Sequence, residues 1–184
     1  SCHELRLDGA GILIDCGLFQ GAERRDDLAI DFDISHIRAL VVTHVHIDHV
    51  GRIPYLLGAG FKGPIVCSQP SALLLPAMLE DALKIGFTRD KKLINRVLKM
   101  LKSRLVPLPY HQWHSVANTG FEVRLQRAGH ILGSAYVECE AGEQRVVFSG
   151  DLGAPHSPLL MAPVSPEQCD VLVMESTYGD KNHE

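Results

Sequence analysis

Six consecutive residues, His44-Val45-His46-Ile47-Asp48-His49, carry three imidazoles and a carboxylate, and only Thr43 separates them from the apolar run Ala39-Leu40-Val41-Val42. Such a run reads as a buried strand. Any fold open to this chain must therefore deliver a dense polar cluster to the end of a core strand. Strand side chains repeat every two residues, which puts His44 and His46 on one side of the extended chain. Neutral imidazole nitrogen and carboxylate oxygen are the donors that Zn²⁺ and similar divalent ions take at roughly 2.0–2.2 Å, so the two can share one ion. A helix starting near Asp48 would turn that carboxylate and His49 toward a second ion, and metal pairs in hydrolytic enzymes stand about 3.5–4 Å apart. The plain alternative, a set of unrelated surface histidines, leaves the spacing unexplained.

The chain has 184 residues and 46% hydrophobic content, enough for one domain with a sizeable core but not two. A formal charge of −4 gives no general reason to expect a nucleic-acid partner. No run approaches the ~18 apolar residues of a membrane span, and Ser1-Cys2-His3-Glu4 is unlike a signal peptide. The expectation is a cytoplasmic protein without membrane association. The five cysteines are scattered and form no C-x-x-C pair, so neither a disulfide framework nor a thiolate metal site is indicated. The chain starts without Met and ends in the polar run Gly179–Glu184, which suggests a piece of something longer.

Leu5-Arg6-Leu7, Asp8-Gly9 and Ile12-Leu13-Ile14 read as a hairpin. Asp15 ends its second strand, where a carboxylate is suited to orient a ligating imidazole. Residues 18–33 read as an irregular loop with a wet charged patch, Glu23-Arg24-Arg25-Asp26-Asp27. A core strand over 37–42 is followed by a short helix from Asp48 to Leu57 and a strand at Ile65-Val66-Cys67. A helix capped by Ser68 or Ser71 runs toward Gly86, and Thr88 caps another with Leu93, Val97, Leu101 and Leu105 on one apolar stripe. From Lys84 to Arg104 the sequence is net basic, and its exposed face is either a solvated surface or one that tracks phosphates. Strands are expected at Phe121–Leu125, Ala135–Cys139, Arg145–Phe148 and Val171–Met174. Helices flanking hairpin-containing sheets indicate an α/β sandwich rather than a doubly wound parallel sheet.

Three further polar residues end strand-like runs: His130 in Gly129-His130-Ile131-Leu132-Gly133-Ser134, Asp151 in Ser149-Gly150-Asp151, and Glu175 in Glu175-Ser176-Thr177-Tyr178-Gly179-Asp180. With the His-x-His-x-Asp-His cluster and Asp15, these segments resemble the motifs of the metallo-β-lactamase superfamily, whose members are αββα sandwiches with one or two metals at one edge. The segments around His130 and Glu175 further resemble its β-CASP branch, the RNase J-like and mRNA 3′-end-processing nucleases. The resemblance implies that His44, His46 and His130 hold one metal, that Asp48 and His49 hold a second, and that Asp151 bridges them. Asp15 would act behind the ligands. Glu175 would be the acidic residue that assists proton transfer, joining Asp48 and Asp151 in catalysis.

The same resemblance implies a ribonuclease that hydrolyses RNA phosphodiesters with a metal-bound hydroxide, using two zinc ions with manganese as a substitute. The exposed Lys92, Arg96 and Lys99 would contact phosphates, single-stranded DNA is a second candidate substrate, and the intact protein is a candidate homodimer. The inserted β-CASP domain and the last metal-binding His are not found in residues 1–184, and His183 comes too early to be that ligand. The chain is thus expected to be the N-terminal part of the fold, with a nearly complete first site, a weak second site and poor activity by itself. Two competing readings are a thioester or lactone hydrolase of the same superfamily and a non-catalytic RNA- or protein-binding scaffold. Finding residues of the native gene that form such an inserted domain would decide against the first of these. Loss of metal ligands would favour the second, and the chain retains all those expected in its span.

Overall fold

A computed structural model describes residues 1–19, 21, 25, 27–86 and 88–180. Two five-stranded sheets face each other, with helices over the outer face of the first. The chain opens with the expected hairpin, β1 (His3–Leu7) and β2 (Ala10–Ile14), turning at Asp8 and Gly9, which both adopt positive φ. β3 (Ile37–Val41), β4 (Ile65–Ser68) and β5 (Leu105–Leu108) then add in parallel, so the first sheet runs β1-β2-β3-β4-β5. The second sheet is built from β6 (Trp113–Val116), β7 (Phe121–Arg127), β8 (Ala135–Ala141), β9 (Gln144–Phe148) and β10 (Val171–Val173). Only its last pairing, β10 with β9, is parallel.

Period-two alternation divides the inner strands β2, β3 and β4 between two cores. Ile12, Ile14, Ala39, Val41 and Val66 meet Val123, Leu125, Val137, Cys139 and Phe148 between the sheets. Leu13, Leu40, Val42, Ile65 and Cys67 face the helices. This is why β3 reads as an unbroken apolar run: it is buried on both faces. The helical layer comprises α1 (Ile47–Val50), α2 (Ile53–Gly58), α3 (Gln69–Gly86) and α4 (Lys91–Arg104). Leu75, Leu79 and Leu101 are fully buried there, each contributing about 2 kcal/mol of transfer free energy. Among the described residues the architecture is α/β/β, three of the four layers of an αββα sandwich.

The single helix expected over 48–57 is two. The Arg52 N–H donates to the Cys16 carbonyl at 2.9 Å instead of to the turn before it, and Pro54 has no N–H to give, so the ladder breaks at Gly51-Arg52. Helix α4 is capped by Asp90, whose carboxylate accepts from the Lys92 and Leu93 N–H groups, while Thr88 Oγ1 accepts from Asp90 N. Its buried face is Ile94, Leu98 and Leu101. The stripe read from sequence stepped by four throughout, which drifts off a 3.6-residue period, and Leu105 already belongs to β5. Strands β5 and β6 escaped sequence reading because Pro107 lies within β5, an edge strand where a missing N–H is tolerated, and β6 has polar His114 and Ser115 at its centre. Cys16, Cys67 and Cys139 are buried free thiols. Of the charged loop patch, Glu23, Arg24 and Asp26 lie outside the described residues, as does His183. Among the described residues no helix is long and apolar enough to cross a membrane.

Candidate metal centre

The end of β3 places the central cluster. His44 sits just beyond it, His46 is the extended residue that starts α1, and Asp48 and His49 lie on α1 itself. Two other chain turns close on this point, because the loop after β7 brings His130 and the loop after β9 brings Asp151. His46 Nδ1 is 3.1 Å from His44 Nε2 and 3.1 Å from His130 Nε2, the latter across 84 residues of sequence. Asp151 Oδ2 is 3.7 Å from His44 Nε2 and 3.6 Å from His130 Nε2, while its Oδ1 lies 3.1 Å from His49 Nε2. His49 Nε2 is in turn 3.7 Å from Asp48 Oδ2. Two groups of donors result, His44, His46, His130 with Asp151, and Asp48, His49 with Asp151, each with its atoms within 4.8 Å of one another.

These spacings can be tested against what a metal requires. Donors 2.0–2.1 Å from a tetrahedral ion stand about 3.3 Å apart, and the first group spans 3.1–3.7 Å along the pairs just given. Ligating imidazoles must also be neutral. Burial, reinforced by His49, His46 and His130, drives His44 down to about 2. His46 is lowered as well, by burial and then by His130. The residues fit a divalent ion in both geometry and protonation.

Tautomers are set from behind. Asp15 is 1% exposed and held at φ +61°, a region that aspartate enters more readily than most non-glycine residues. Its Oδ1 accepts from the Thr43 N–H at 2.8 Å; its Oδ2 accepts from Thr43 Oγ1 at 2.8 Å and faces His49 Nδ1 at 2.7 Å. His49 therefore donates from Nδ1 and keeps a lone pair on Nε2, toward Asp48 and Asp151. Thr43 Oγ1 has spent its one proton on Asp15, so at 3.1 Å it accepts from His44 Nδ1, which frees His44 Nε2. Thr43 is the residue that sequence reading passed over. Its one signal was position, a hydroxyl between a buried strand and the first His. On His49 burial opposes the charge, but the hydrogen bond and charge of Asp15, with Asp151 and Asp48, outweigh it and raise its pKa.

The loops are seated by close backbone approach. A Cβ on Gly17 would fall 1.5 Å from the Asp48 carbonyl oxygen, and one on Gly153 would fall 1.8 Å from that of Gly129, so both contacts demand glycine. Glu175, just past β10, lines a cleft of about 540 Å³ with His3, Asp48, His49 and Asp151. Its Oε1 accepts from Leu152 N at 2.6 Å, gripping the backbone next to Asp151. Lys92, Arg96 and Lys99 are exposed on α4, in the helical layer, and none of them belongs to the donor groups.

These protonation states give the metal-free chain an acid-sensitive fold. His44 takes a proton near pH 6.5 when unfolded but only near pH 2 when folded. From pH 6.5 downward the unfolded chain binds a proton that the folded chain refuses, which costs about 1.4 kcal/mol of stability per pH unit. His49 acts elsewhere. Its raised pKa makes its contribution complete below pH 6.5, to be lost only as pH rises through the folded value. Denaturant unfolding of the chelated protein between pH 7 and 5 measures the slope, and a His44→Asn variant with the same slope would contradict this account.

Comparison with known proteins places the chain in a family. The chain is 36% identical over 185 residues to ribonuclease TTHA0252 of Thermus thermophilus, matching all of this chain and 42% of that protein. It is 33% identical to Integrator complex subunit 11 of Danio rerio, over 97% of this chain and 32% of the other. The chain thus spans less than half of the length of these relatives. A metallo-β-lactamase of Cronobacter sakazakii with a HARLDQ motif superposes with a TM-score of 0.55 at 20% identity, over 87% of this chain and 56% of that one, a likeness that shows the fold alone. The family model of the metallo-β-lactamase superfamily matches residues 1–178. With its two-sheet sandwich and a donor set fit for a divalent metal, the chain belongs to the metallo-β-lactamase superfamily.

Proposed function

We propose that this chain is the metal-binding part of a ribonuclease of β-CASP type, hydrolysing phosphodiesters of single-stranded RNA in the cytoplasm. The observation that carries the reading is Asp151, whose two oxygens face different donor groups, Oδ1 toward His49 and Oδ2 toward His44 and His130. That arrangement suits a pair of cations, for which an anionic bridge reduces mutual repulsion. The relative from Thermus thermophilus named above, a ribonuclease, supports RNA as the substrate.

In this reading His44, His46 and His130 hold one zinc ion, Asp48 and His49 hold the other, and Asp151 bridges them, with manganese as a substitute. The ions supply Lewis acidity toward a phosphoryl oxygen and an activated water. The chain's own residues do the rest. Thr43 and Asp15 leave a lone pair on Nε2 of His44 and of His49, and the Leu152 N–H to Glu175 bond fixes the turn after Asp151. The second group offers three donors against four in the first. Its remaining ligand is assigned to a part of the protein that the longer relatives have and this chain does not span.

The deciding experiment is metal analysis and cleavage of labelled RNA by the natural full-length gene product. Cleavage that stops on chelation and returns with Zn²⁺ or Mn²⁺ is expected. Unimpaired cleavage after complete metal removal would refute the assignment. The exposed cations of α4 are proposed to track the backbone. Each single-strand phosphate contact contributes about 0.7 to the slope of log K against log salt, so reversing Lys92, Arg96 and Lys99 lowers its magnitude by about 2. An unchanged slope removes α4 from the RNA path.

A further inference from the structure

A second, smaller cavity borders the donor groups without containing any of them. It has a volume of about 160 Å³ and is walled by Pro70, Tyr110, Arg127, Leu132, Leu159 and Met161. Its floor includes Gly129 and Gly133, which flank His130 in the same loop. The floor is firmly held. Ser68 Oγ and Ser71 Oγ both donate to the Gly133 carbonyl, at 2.6 and 3.0 Å, and Ser134 Oγ accepts from His130 N at 3.0 Å.

The wall has one cation, and its geometry is specific. The Arg127 guanidinium lies 4.6 Å over the Tyr110 ring, and the Tyr110 hydroxyl donates to the Ser134 carbonyl at 3.2 Å, which ties the stacked pair to the His130 loop. Leu132, Leu159 and Met161 edge the cavity with 60%, 92% and 68% of their surface exposed. A phosphate would need several converging N–H donors, and a cavity with one guanidinium among apolar side chains supplies few. A flat, polarisable ring suits it better, because guanidinium planes and apolar side chains both offer stacking surfaces to a heterocycle. The position also fits a strand engaged at the donor groups. Arg127 and His130 are three residues apart, at most about 11 Å of extended chain.

We infer that this cavity takes one nucleobase of the RNA, a neighbour of the phosphodiester presented to His130 and Asp151, stacked on the Arg127–Tyr110 pair. The inference rests on the proposed reading of the substrate as RNA. It makes Arg127 a substrate-positioning residue that recognises a ring rather than a charge.

The test is a cycle of kcat/KM values for the natural full-length protein and its Arg127→Gln variant on short single-stranded RNAs, each lacking the base at one position near the cleavage site. In the unaltered protein one abasic position lowers kcat/KM roughly ten-fold, the loss expected of a removed stack. Arg127→Gln lowers the intact RNA by a similar factor but leaves the RNA abasic at that position nearly unaffected, so the two losses do not add. Leu132→Ala, a truncation at a largely exposed side chain, weakens the same position to a smaller extent. Equal slowing of every RNA by Arg127→Gln, with or without the base, would make Arg127 a backbone contact and overturn the inference. Additive losses, or no sensitive position at all, would overturn it too while leaving RNA cleavage intact. If the unaltered protein cleaves no RNA, the proposed function fails and the inference falls with it.

Discussion

Replacing His46 with alanine is expected to cost more than 100-fold in affinity for the first metal and, in the full-length ribonuclease proposed above, to abolish turnover with it. Its Nδ1 faces both His44 Nε2 and His130 Nε2 at 3.1 Å, so its loss opens the first donor group at the point where the other two imidazoles converge. Removing a group that merely orients a ligand costs about 10–100-fold, and a ligand should cost more. Because His46 is partly exposed and outside both apolar cores, the fold should tolerate the change. Metal titration followed by elemental analysis reads the first effect, and a denaturant melt within about 1 kcal/mol of the unaltered protein supports the second. A His46→Ala protein that retains its tightest metal would show that the three imidazoles do not share an ion.

Asp15 separates positioning from stability. Its carboxylate is buried and receives Thr43 N, Thr43 Oγ1 and His49 Nδ1. Asp15→Ala strands those donors and takes away the anion that favours a charged His49, a loss of about 3–5 kcal/mol for a broken buried pair. Asp15→Asn keeps the volume, tolerates the positive φ, and leaves an oxygen for the Thr43 N–H. Its amide nitrogen, however, then meets His49 Nδ1 and asks that atom to accept. The proton moves to Nε2, and the nitrogen facing Asp48 and Asp151 no longer has a lone pair to offer. The Asn variant should therefore fold with a smaller deficit and lose about 10–100-fold in affinity for the second ion. Two equivalents of metal bound by Asp15→Asn as tightly as by the unaltered protein would refute the positioning role.

The cluster at residues 44–49 was legible because its two periods are local. Alternation puts His44 and His46 together, and a helix start swings Asp48 and His49 aside, with no long-range information needed. The hairpin of β1 and β2 was legible for the same reason, since Asp8 and Gly9 tolerate the turn's positive φ. The break at Gly51-Arg52 was not. It depends on a hydrogen bond from Arg52 to the Cys16 carbonyl, a partner chosen only when α1 has docked on the end of β2. Of the buried face of α4 only Leu101 was read, because Leu93 and Val97 are as apolar as Ile94 and Leu98, and only the docked layer selects between them.

The residue types at strand ends, their spacing and their preference for divalent metals were fixed by the amino-acid order alone, because ligand chemistry and strand periodicity are properties of neighbours in the chain. Tertiary structure decided which nitrogen of His44 and of His49 points inward, through the Asp15 and Thr43 hydrogen bonds, and that Asp151 turns one oxygen to each donor group. It also placed the Arg127–Tyr110 stack against the His130 loop. These are relations between segments tens of residues apart, and they are set by how the two sheets pack, which no local pattern encodes.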